Sequence, residues 1–134
     1  MTATPEAVAL AQAAAAAAAD KLADDVRAFD VSEHLAITDI FVLASAANDR
    51  QVKSIVDEVE RQLLALGSKP ARREGDRDAH WVLLDYIDVV VHVMHTEDRE
   101  YYSLERLWRD CPAVPLPERH LPEPPRAADP ASAR

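Results

Sequence analysis

Glycine and cysteine are nearly absent from this chain of 134 residues, which has two glycines, Gly67 and Gly75, and one cysteine, Cys111. Two glycines leave no phosphate-cradling loop and no Gly-x-Ser-x-Gly nucleophile elbow. One cysteine excludes an internal disulfide and fits a reducing cytosol. No run reaches 18 consecutive apolar residues, so no membrane-spanning helix is expected. The opening Met-Thr-Ala-Thr-Pro-Glu lacks a basic n-region, so the alanine run after it does not read as a signal peptide. Basic residues are also in deficit, with 15 Lys and Arg against 24 acids and a net charge of −9. Residues 111–134 balance, with Glu118, Glu123 and Asp129 against Arg119, Arg126 and Arg134, so the excess lies within residues 1–110. Such a domain repels phosphate backbones and attracts a basic protein, so little direct nucleic-acid contact is expected. A soluble, cytoplasmic protein is the expectation.

Apolar residues make up 49% of the chain, enough for one core, and the length suits one domain. Residues 5–24 read as a helix that opens on Pro5 and Glu6 and runs through Ala13 to Ala19, alanine being the strongest helix former. Asp25 to Val31 alternates as a strand. Ile37 to Ser45 is an apolar run with β-branched and aromatic residues and reads as a buried strand. Asn48 suits the N-cap of a helix from Asp49 to Leu66, where Val52, Ile55, Val56, Val59, Leu63 and Leu66 step by three and four, and Gly67 closes it. Residues 71–80 are highly charged and read as a short edge strand or a loop. Trp81 to Asp85 and Val89 to Met94 form two more strands, joined tightly through Tyr86, Ile87 and Asp88. Thr96 or Asp98 can cap a last helix to about Arg109. From Pro112 seven prolines fall within 19 residues, so 111–134 is expected to be an extended, disordered tail. The order predicts an α/β domain over residues 1–110, a mixed sheet of about five strands with helices packed on it.

Most catalytic constellations fail on spacing. His92 and His95 stand three apart on a strand and point to opposite faces, and no cysteine joins them, so no metal site is expected. Ser45, His92 and Asp85 do not make a triad, because Ser45 sits in Ala-Ser-Ala and suits a helix-capping hydroxyl better. Asp85 and Asp88 are spaced Asp-x-x-Asp, without the Asp-x-Asp and Gly-Ser of nucleotidyltransferases. They remain compatible with turn shaping, with partner contact, or with magnesium-dependent catalysis in a small nucleotidyltransferase. Among the aromatics, Trp108 shares a helical face with Leu104 and Leu107 and reads as core. Trp81 differs: Trp81, Leu83 and Asp85 alternate onto one side of their strand, and Val82, Leu84 and Tyr86 onto the other. A face that carries Trp beside Asp suits an interface as well as a core.

At these residues the chain resembles the ribosomal silencing factor (Iojap) family. The likeness lies in Thr38-Asp-Ile-Phe-Val-Leu-Ala-Ser45, Asp49-Arg-Gln-Val52, Glu74-Gly75, Trp81-Val-Leu-Leu-Asp-Tyr86, Asp88-Val-Val-Val-His-Val93 and Tyr101-Tyr-Ser-Leu-Glu-Arg-Leu-Trp108. The resemblance spans roughly residues 5–110, in order and at family spacing. The resemblance implies a nucleotidyltransferase-like fold without catalytic residues and without a cofactor. It further implies binding to the large ribosomal subunit through its basic protein L-fourteen. The small subunit is then kept from joining, and translation falls when nutrients are scarce. The contact residues it implies are Trp81, Asp85, Tyr86 and Asp88. Homodimers also occur among similar proteins. Two departures stand beside those contacts: Ile87 and His80 occupy positions where the family commonly has glycine. An interaction module for another basic protein is the remaining alternative.

Overall fold

The computed structural model describes residues 3–75, 80–97 and 111–116. The expected last helix, with Tyr101, Tyr102 and Trp108, lies outside the described residues, as does His120. Helix α1 (Pro5–Asp20) starts where Thr4 turns extended and its Oγ accepts the Ala7 N–H at 3.1 Å. It ends four residues before the 5–24 expected. The cause is Leu22, which adopts a left-handed φ of 62°, while the Ala23 N–H turns back to the Ala18 carbonyl at 3.1 Å. Seven buried alanines, from Ala7 to Ala19, form the packing side of α1.

Strand β1 (Asp25–Asp30) pairs antiparallel with β2 (Ile40–Ala46). The apolar run from Ile37 contributes to the sheet only from Ile40, and Ile37 itself is 79% exposed. Helix α2 (Asp49–Ala65) begins at Asn48, whose Oδ1 accepts the Gln51 N–H at 2.9 Å, and closes through Gly67 at φ 84°. The charged segment after Pro70 supplies a short exposed strand, β3 (Arg72–Gly75), followed by β4 (Trp81–Asp85) and β5 (Val89–His95).

The five strands form one sheet in the order β1-β2-β5-β4-β3, antiparallel except for the β2–β5 pair. Strand β5 takes the middle because every residue from Val89 to Met94 is buried, which only a strand covered on both faces can satisfy. One face packs Val26, Ala28, Val42, Ala44, Val82, Leu84, Val91 and Val93 with the apolar sides of α1 and α2. The opposite face carries a second cluster of Leu43 and Met94, with Phe29 and Trp81 packed on it.

Residues 111–116 continue the packing past the expected boundary at 110. The Asp30 N–H donates to the Pro112 carbonyl at 2.8 Å, and the Val114 N–H to the Ala28 carbonyl at 2.9 Å. Val114 is buried, so this extended stretch lies along the β1 edge and shields it. Prolines fit there because an edge segment uses only alternate N–H groups. No helix among the described residues is long and apolar enough to cross a membrane.

Candidate docking face

Alternation along β4 decides which side chains meet. Trp81, Leu83 and Asp85 are partly exposed, and Val82 and Leu84 are buried toward the helices. Antiparallel register sets Leu83 opposite His92, so His92 lies on the Trp81 face. The Trp81 indole N–H donates to His92 Nδ1 at 3.3 Å, and the two rings meet edge-on at 6.1 Å. Phe41 of β2 adds a third ring, 5.1 Å from His92. This aromatic row runs across β4, β5 and β2 on the side away from α1 and α2. His92 is only 7% exposed, and burial pulls its imidazole down to about 4. The ring is therefore neutral near pH 7, and its proton sits on Nε2, which has no partner among the described residues.

Asp85 closes the same strand. Its Oδ1 accepts the Ile87 N–H at 2.8 Å, and its Oδ2 lies 3.6 Å from an Arg72 Nη on β3. The hairpin is tight: the Tyr86 N–H reaches the Val89 carbonyl at 2.8 Å, leaving Ile87 and Asp88 as its two-residue loop. The Asp88 N–H also turns back to the Tyr86 carbonyl at 2.9 Å, forming a γ-turn centred on Ile87 at φ 75°. A β-branched residue pays steric strain in that region, where glycine would not. The side chain of Ile87 is thereby held 54% exposed at the tip. The Asp88 carbonyl accepts the N–H groups of Asp39 and Ile40, and its side chain faces solvent.

The four expected contact residues do not share one surface. Trp81 and Asp85 share the face away from α1 and α2, and Asp88 stands at the hairpin tip. Tyr86 turns to the helix side and is 6% exposed, with its hydroxyl unpartnered among the described residues. Burial, with help from nearby Glu60, pushes its phenol up to about 12. Ser45 is an interior residue of β2, 1% exposed, and Asn48 holds the capping role instead. Sequence reading missed Phe41 and His92 as neighbours of Trp81, because that row depends on β5 lying between β2 and β4. It noticed Ile87 as unusual, and the positive φ gives that oddity its physical form.

Asp85 is engaged by a backbone N–H and an arginine, an arrangement that shapes a turn, and the aromatic row offers contact area. Comparison with known proteins identifies the family. The family profile described as "Ribosomal silencing factor during starvation" matches residues 4–134. The chain is 42% identical over 103 residues to Ribosomal silencing factor RsfS of Bacillus subtilis, covering 77% of this chain and 87% of that one. A crystal structure from Bacillus halodurans is similar with a TM-score of 0.68 at 38% identity, covering 78% of this chain and 95% of that one. One from Chromobacterium violaceum has a TM-score of 0.72 at 28% identity, covering 87% and 92%. Its sequence and its fold together make this chain a member of the ribosomal silencing factor family.

Proposed function

We propose that this protein represses translation without catalysing a reaction. It binds the large ribosomal subunit through the basic protein L-fourteen and bars the small subunit from joining. The observation that carries the reading is Trp81, half-buried on the sheet face opposite α1 and α2, backed by Phe41 and His92 and flanked by Asp85. A Trp held in place by its neighbours loses little freedom on binding, which is what a contact anchor needs. Asp85 and Asp88 offer carboxylates to a basic partner and orient it. Tyr86 braces the hairpin from below, and Ile87 adds an apolar contact at its tip. An interface of about 1,600 Å² centred on such an anchor suffices for useful affinity.

Trp81→Ala is expected to weaken large-subunit binding by about 30-fold, the equivalent of ~2 kcal/mol. Co-sedimentation of the purified protein with separated large and small subunits checks this. Pelleting with the large subunit alone, lost in Trp81→Ala, is the expected result. A mutant that keeps its circular dichroism spectrum and pellets like the wild type would remove Trp81 from the interface.

A further inference from the structure

His80 and His95 come together on the other side of the sheet. The β4–β5 register that pairs Trp81 with Met94 sets His80 opposite His95, and the His95 N–H donates to the His80 carbonyl at 2.9 Å. Their rings stack at 4.4 Å between centroids with 15° between planes. Both lie on the helix-facing side, where α2 begins. Asp49, the first residue of α2, places Oδ1 2.5 Å from His95 Nε2. One donor atom from each of the three side chains lies within 4.8 Å of the others. The cluster opens into a cleft also lined by Asn48 and Arg50.

We propose that Asp49, His80 and His95 form a binding site for a divalent transition ion of the zinc class. Two imidazoles and a carboxylate suit such an ion, whereas magnesium and calcium demand oxygen ligands. Bonds of about 2.0–2.2 Å in a tetrahedron place donor atoms roughly 3.4 Å apart. That spacing falls inside the range already present, so side-chain rotations suffice and the backbone need not move. The open side of the cleft leaves water to fill the fourth position. Asn48 is not a candidate ligand through Oδ1, which already caps α2. Arg50 adds a positive charge beside the ion, set against a chain whose net charge is −9. Three separate elements meet here, so a bound ion ties the start of α2 to the ends of β4 and β5. His80 directly precedes Trp81 with its side chain on the opposite face, so the ion would fix the start of the docking strand without covering its surface. The site stands whether or not the Trp81 face binds a ribosome.

The test is calorimetric titration of the full chain, stripped with chelator, with zinc chloride and separately with magnesium chloride. One zinc per chain is expected, with no saturable magnesium binding. Asp49→Asn and His95→Asn are each expected to weaken zinc binding about 100-fold, and His34→Ala, at an exposed histidine elsewhere, to leave it unchanged. Should a cluster variant not fold, imidazole NMR signals of the wild type decide, with two of the five histidines shifting on zinc addition. No saturable zinc binding, equal binding in folded cluster variants, or shifts at other histidines would overturn the site.

Discussion

At the scale of single residues, two positions hold conformations or charge states that the surrounding fold imposes. Ile87 sits at φ 75° because a two-residue hairpin loop must reverse the chain there, and the Asp85 carboxylate and the γ-turn bond hold it. Ile87→Gly removes strain of ~1–3 kcal/mol and adds back up to ~1 kcal/mol of unfolded-chain entropy. The variant is expected to be more stable by about 1 kcal/mol, raising the midpoint of thermal unfolding by roughly 4 °C. Weaker large-subunit binding in that more stable variant would mark Ile87 as a contact, and a lower melting temperature would refute the strain. His92 makes the second case. Its folded value of about 4 lies below the ordinary 6.5, so between these the unfolded chain takes up a proton that the folded one refuses. Stability is therefore full above pH 6.5 and falls as the pH drops toward 4, by on the order of 3 kcal/mol. Protonation at Nδ1 also removes the acceptor used by the Trp81 N–H. Glu58 adds its own loss below its ordinary 4.5, because Arg61 and Gln62 hold it down to about 2. Denaturant titrations between pH 6.5 and 4.5 isolate the histidine, and an unchanged slope in His92→Leu would contradict this assignment.

At the scale of elements, α1 shows what a run of alanines does. Ala11 and Ala14 are fully buried, and the small side chains let α1 lie close against α2 and the sheet. Ala14→Leu forces extra carbons into a filled space and is expected to cost about 1–3 kcal/mol, read from urea unfolding. A neutral result would mean the helix has room to move outward. The same scale shows what the sequence makes legible. Spacing by three and four from Val52 to Leu63 marks α2 within a residue, and the alternation of Trp81 to Asp85 assigns both faces of β4. The early stop of α1 was harder to see, because Leu22 occupies the left-handed position that Gly67 fills after α2. A leucine there carries no glycine-like signal. The His80–His95 pairing was within reach, since a two-residue loop at Ile87 and Asp88 fixes every cross-strand partner back to His80. His92 and His95, nearest in sequence, fall on opposite faces, so that pair alone gives no sign of His80.

At the scale of the whole molecule, the net charge of −9 acts on any basic partner before contact. Association with isolated L-fourteen is expected to slow by about tenfold between 50 and 500 mM salt, because screening shortens the reach of exposed charge. Stopped-flow tryptophan fluorescence would follow it, and a salt-independent rate would assign recognition to the apolar contacts alone. Of the proposed docking face, the composition points to a basic partner and the strand pattern to Trp81 and Asp85. The aromatic row needed the strand order β1-β2-β5-β4-β3, a long-range fact that local pattern does not contain.

That strand order also has a bearing on how the chain is made. Synthesis runs from the N-terminus, so β1 and β2 emerge first, the β3 and β4 segments later, and β5 last of the five. Yet β5 is the strand that joins the two halves, and residues 111–116, which shield β1, come later still. Until residue 95 has left the ribosome, the emerging chain holds two sheet fragments with open edges and without the strand that joins them. Closing of the sheet thus waits for β5, so a chain released before residue 95 carries open strand edges prone to association.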